Sequence, residues 1–163
     1  MTAAQRILIL TGIALIAFTM AFGVVYAIFD EHQTLVGMGT HLATGFMEAS
    51  QGRMESAFAA LDAYGALNQE YRNEVHSHGH WGMLALILIV LALAFDRVAF
   101  SDKQALLLAC LLALSATLFP LGVLLQIGPA AGIGKVLSVA GSLGMVAGLL
   151  AAVYGLLKAG PDL

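Results

Sequence analysis

The stretch Glu74-Val75-His76-Ser77-His78-Gly79-His80-Trp81-Gly82 decides how this chain is read, because it sets three of the five histidines directly ahead of an apolar run. That run, Trp81 to Phe95, has 15 residues. It makes roughly 22 Å of helix, whereas a bilayer core is about 30 Å thick and takes about 20 residues. A spanning helix must therefore begin earlier. Starting it at His76 gives 20 residues and puts His76, His78 and His80 in the outer part of the membrane or its headgroup layer. Ionisable side chains at that depth are costly and point by default to function, with a partner to be named.

Outward from this stretch the chain is 60% hydrophobic and only 10% charged, against about 25% charged in soluble domains. Four apolar segments stand out: Ile7 to Phe29, His76 to Phe95, Ala105 to Gln126, and Ile133 to Leu157. The expected fold is an all-α integral membrane protein. It is a four-transmembrane-helix bundle forming one membrane domain over residues 1–163, with an outer helical cap over 30–75 between the first two spans. The first segment resembles a signal peptide in that Arg6 precedes it and Val25-Tyr26-Ala27 loosely fits a cleavage site. Its 23 residues exceed the 7–15 of a signal core, so it is read as a retained anchor. A net charge of −3 without any like-charge block excludes nucleic acid as a partner and leaves the lipid bilayer. The single cysteine, Cys110, lies within the third apolar segment; no internal disulfide and no CxxC motif is available.

Basic residues near helix ends set the orientation. Arg6, Arg97, Lys103 and Lys158 fall on one side, and Arg53, Arg72 and Lys135 on the other. This places both termini in the cytoplasm and the histidines on the periplasmic side of a bacterial inner membrane, with Trp81 and Tyr26 at the outer interface and Tyr154 at the inner one. Within the cap, Thr34 to Glu48 and Met54 to Tyr64 read as two short helices, with Gly65 as a stop. A further helix leads from Asn68 into the histidines. Pro120 predicts a kink near Ala116. Small residues at Ala140, Gly144, Gly148 and Ala152, with Gly141 beside them, predict close helix packing, either within the chain or in a homo-oligomer or larger membrane complex.

All five histidines fall on the outer side: His32 just past the first span, His41 in the first cap helix, and the cluster. On a helix His76 and His80 stand one above the other, able to chelate one ion or to face one cavity, while His78 shares a face with Glu70 and Glu74. Haem b needs one or two neutral imidazoles and an apolar pocket. His32 or His41 from one side and a cluster histidine from the other would serve. Copper or zinc would draw on His76, His80 and Glu74, or on His41 beside Met38, Met47 or Met54. Glu70 or Glu74 would orient an imidazole and fix its tautomer.

His76-Ser77-His78 at the outer end of a membrane helix resembles the His-x-His pair by which one helix of haem-copper oxidase subunit I, and of the related nitric oxide reductases, ligates haems near the outer face. It is also similar to the His-x-His of small four-helix bacterial membrane proteins. The resemblance covers about a quarter of the chain. It implies that His76 and His78 ligate haem, with His41 as the opposite axial ligand and His80 beside them. No His-His pair or His-Pro-Glu motif for a copper centre is present, and four spans are too few for a twelve-helix core, so oxygen reduction is not implied. With no nucleophile–base–orienter constellation, the expectation is haem b in electron transfer or redox and gas sensing, with a redox protein as partner. The competing readings are copper or zinc delivery with a metal-donor partner, an assembly subunit of a larger membrane complex, and a histidine-based pH gate.

Overall fold

In a computed structural model, which describes residues 1–159, the chain is helical throughout. Helix α1 spans Ala3–Phe29, α2 Glu31–Ser50, α3 Met54–Ala94, α4 Asp102–Leu124 and α5 Ala131–Lys158, with one 3₁₀ turn at Phe95–Arg97. All but α2 are long and apolar enough to cross a membrane. The chain is therefore an all-α membrane protein with four spanning helices. It divides into two compact units, one of residues 1–20 and 76–163 and the other of residues 21–75.

The larger unit is the helix bundle. Its core is a continuous cluster in which Ala4, Leu8 and Leu15 of α1 meet Trp81, Leu84, Ala85, Leu88 and Ala92 of α3, Leu108, Leu112 and Ala116 of α4, and Met145 and Ala152 of α5. The three- and four-residue steps along α3 are those of one helix face. α1 and α3 approach closely at Gly12, where a Cβ would lie 2.6 Å from Ile89 Cγ1 and 2.9 Å from the Ala85 carbonyl oxygen. Gln5 Nε2 donates to the Ala92 carbonyl at 3.1 Å, a bond that gains value where lipid offers no alternative partner.

α4 and α5 pack antiparallel along glycines spaced two turns apart. Gly134 faces Gly122, Gly141 faces Phe119, Gly148 faces Leu112, and Gly155 faces Val98 and Phe100. Gly134, Gly141, Gly148 and Gly155 are all buried. The small-residue row foreseen in the sequence thus finds its partner within the chain, but its register differs. Gly148 and Ala152 belong to it and Gly144 touches Ser115, while Ala140 is exposed. Lipid tails are as apolar as leucine, so backbone approach rather than burial of bulky groups selects the contacting face. α4 runs unbroken through Pro120; three residues earlier Thr117 Oγ donates to the Ala113 carbonyl at 2.9 Å. Its N-terminus is fixed by a capping box between Ser101 and Gln104.

The smaller unit holds the end of α1, all of α2 and the first part of α3. α2 and α3 form an antiparallel hairpin: an added Cβ on Gly45 would contact Leu61 and the Ala57 carbonyl, and one on Gly37 would contact Leu67. The turn between them needs Gly52 in the left-handed region, at φ +74°. It is clamped by Arg53, whose guanidinium donates to both oxygens of Glu48, the bond from Nη2 to Oε1 being 2.7 Å. The Gly65 stop does not materialise. α3 continues for 41 residues, roughly 60 Å at 1.5 Å per residue, because one glycine costs only about 1 kcal/mol relative to alanine. Helix formers on both sides and the seam with α2 outweigh that cost.

Candidate histidine site

The structure distributes the five histidines over both units: His32 and His41 lie on α2 in the smaller one, and His76, His78 and His80 on α3 in the bundle. Because α3 is helical through the whole motif, the extended alternative, in which all three cluster histidines would share a face, does not occur. His76 and His80 are stacked one turn apart with ring centroids 6.2 Å apart and planes tilted by 50°. Two imidazoles sharing an ion at N–metal distances of about 2.0–2.1 Å can meet such a separation by small rotations. His76 is exposed, His78 and His80 half-buried, and Ser77 between them fully buried.

His80 is held from a second element. Its ring lies 4.8 Å from that of Phe119 on α4, tilted by 46°. Phe119 is itself placed by the backbone approach of Gly141 on α5. An aromatic wall on one side of an imidazole limits its rotation and lowers the local dielectric, both of which suit a ligand that must stay neutral. Nothing in the spacing of the histidines signals Phe119; only its position ahead of Pro120 at the same end of the bundle would have suggested it.

Trp81 also departs from expectation. Its indole is 2% exposed and meets Phe18 edge-on at a centroid distance of 4.8 Å, so it packs inside the bundle instead of presenting itself to headgroups. Tyr26, the other expected interface anchor, is 8% exposed. In the smaller unit its hydroxyl faces the Glu74 carboxylate, with Glu31 and Tyr71 close by, and Glu74 in turn lies near Glu70 and Asp30. Gln69 Nε2 donates to Asn73 Oδ1 at 2.8 Å beside them. Glu70 and Glu74, singled out as partners for imidazoles, are thus members of an acidic group around a buried phenol. Burial of Tyr26 and Asn73 had no signal in the sequence beyond their helical register.

Among the described residues no three His, Cys, Asp or Glu side chains converge as a metal-holding group. The convergent unit the structure does supply is a pair of imidazoles with an aromatic neighbour. Elsewhere in the bundle, a cavity of about 400 Å³ is lined by Thr2, Phe95, Asp96, Phe100, Asp102 and Lys103, at the end away from the histidines. These features define the chain as a polytopic helical membrane protein with a histidine pair on its third helix. No protein-family model, curated protein or solved structure matches it.

Proposed function

We propose that the protein binds haem b through the histidine pair and serves in electron transfer or in redox and gas sensing. The observation that carries this reading is the seating of His80 against Phe119, one turn from His76. Haem asks the protein for one or two neutral imidazoles and an apolar, aromatic surround, and this donor set fits that need better than it fits a three- or four-ligand ion. His80 would hold the iron, Phe119 would pack against the group and keep water from the imidazole, and His76 or His78 would stand by as a second donor. When bound, haem would supply a one-electron couple and the capacity to bind small gases. The chain's own residues fix the ligand, its protonation and the local polarity.

The basic residues at the bundle end away from the histidines support a cytoplasmic placement of Arg6, Arg97, Lys103 and Lys158 and a periplasmic placement of the site in a bacterial inner membrane. A copper- or zinc-handling role rests on the same His76–His80 pair, completed by a donor from another molecule. Single replacements of His32, His41, His76, His78 and His80 by alanine, each purified from haem-replete cells, test the proposal. Loss of bound haem in His80→Ala, and in at most one other variant, is expected. Full haem retention in His80→Ala would overturn the assignment. Loss of zinc or copper instead, in both His76→Ala and His80→Ala, would establish the metal-handling alternative.

A further inference from the structure

The hairpin of α2 and the first part of α3 buries very small side chains in its own seam: Gly45, Ala57 and Ala60. Leu61 borders that seam against Gly45, and other large apolar groups remain outside it. Leu35, Phe46, Met54, Phe58 and Leu61 are between 43% and 68% exposed, and Leu42 is half-buried among them.

Their positions are not scattered. At about 100° per residue, Leu35, Leu42 and Phe46 lie a quarter-turn from the Gly45 seam of α2. Met54, Phe58 and Leu61 lie a quarter-turn in the same rotational sense from the Ala57–Ala60 seam of α3. In an antiparallel pair, equal rotation in the same sense brings both sets to one side, so the six form one continuous face. Glu31 and Arg72 lie on the same helical lines about one turn beyond Leu35 and close the face at that end, while Glu48, Glu70 and Glu74 lie toward the other side or the seam.

We propose that this face is the contact through which two copies of the chain dimerise, their hairpins closing into a four-helix bundle. The exposed apolar area of the six residues is roughly 500 Å² per copy, so a two-fold pairing would bury about 1,000 Å², where specific interfaces begin. A patch of this size falls in the range of about 300–600 Å² that the largest apolar patch of a monomer reaches, and such patches are often functional. Pairing by an isologous two-fold needs a single self-complementary patch, and a bundle of four helices gives the small-residue seams the bulky second layer that a lone hairpin lacks. Charge argues against a lipid surface as the occupant. Residues 31–75 hold six acidic side chains, Glu31, Glu48, Glu55, Asp62, Glu70 and Glu74, against Arg53 and Arg72. Helices that lie on anionic membranes carry the opposite balance. The dimer contact is independent of whether the histidines bind haem.

The test is the mass of the full-length protein in detergent, by light scattering corrected for the micelle, over about 1–100 μM. The wild type is expected to hold two copies. Phe46→Glu/Phe58→Glu should be a single copy with unchanged helical circular dichroism, its dimer weakened at least about 100-fold. Val36→Gln/Met47→Gln, exposed opposite the α2 seam and about a quarter-turn beyond the face, should stay dimeric. If the glutamates unfold the hairpin, Phe46→Gln/Phe58→Gln is read in the same way. A single copy in the wild type at all concentrations, or a dimer that survives both Phe46/Phe58 pairs, would overturn the proposal. Quenching by spin-labelled lipid of a probe at Gly39→Cys, in a monomeric chain whose exposed Cys110 is replaced by alanine, would overturn it in favour of a bilayer contact.

Discussion

Replacing Gly122 by alanine tests how the bundle is held together, because the contact it makes with α5 is backbone on backbone. A Cβ on Gly122 would run into the Ser138 amide and the Gly134 carbonyl, and one on Gly134 would lie 2.7 Å from the Gly122 carbonyl oxygen and 2.8 Å from the backbone of Leu125 and Gln126. Carbon contacts settle near 3.5–4.0 Å, so the helices would have to part by about 1 Å along a seam whose other contacts, at Phe119 and Leu112, are equally tight. Overpacking of this kind costs about 1–3 kcal/mol. For a chain of this length 2 kcal/mol corresponds to a fall in Tm of about 4–8 °C. Gly65→Ala is the matched control. The substitution adds the same methyl where nothing lies within 4 Å, and helix propensity predicts a gain of about 0.5–1 kcal/mol. Thermal unfolding in one detergent, followed by circular dichroism, compares the two. A Gly122→Ala midpoint equal to the wild type would refute the close-approach account. So would a Gly122→Ala/Gly134→Ala double variant that loses the full sum of the single effects, since two methyls opening one gap should cost less than their sum.

Other outcomes follow from individual contacts. Ser101→Ala removes the hydroxyl that accepts from the Gln104 amide at the start of α4 and should cost about 1 kcal/mol, lowering the midpoint by roughly 2–4 °C. Phe119→Ala should leave the protein helical but make bound haem easier to lose, read as faster haem transfer to an apo-globin acceptor; an unchanged rate would separate Phe119 from the site. The Arg53 guanidinium holds the half-buried Glu48 carboxyl below its usual range, chiefly through their hydrogen bond. A group whose folded pKa is depressed stabilises above its unfolded value and loses that contribution as pH falls through the folded one. Amide exchange at the 51–53 turn should therefore be faster in Arg53→Ala than in the wild type at pH 6, and the two should converge as the pH falls through the depressed folded value of Glu48. A difference that persists once Glu48 is fully protonated would contradict the charge pairing.

The spans were legible because a single long apolar segment can satisfy its own backbone in lipid only as a helix, and continuous runs such as Trp81 to Phe95 lack the alternation of a barrel strand. The continuity of α3 was not legible. Gly65 carries the same local signal whether it ends a helix or sits inside one, and the seam with α2 that decides between them is a tertiary contact. The register of the α5 glycines was hidden for a similar reason: small residues at 140, 144, 148 and 152 and those at 134, 141, 148 and 155 are both regular, and only the partner helix selects the second. At the site, helical spacing correctly paired His76 with His80. The inward turn of Trp81 and the arrival of Phe119 depended on where α1 and α4 pass, which no local pattern encodes.

The central claim, that the histidine pair holds haem b, is tested most directly by the absorption spectrum of the detergent-purified protein from haem-replete cells. It is recorded oxidised and then reduced, with metal analysis on the same sample. A Soret band that shifts on reduction, with at least about one iron per chain, is the predicted result. A featureless spectrum would contradict it; copper or zinc in that sample would then point to metal handling, and the lack of any metal to a structural subunit of a larger complex.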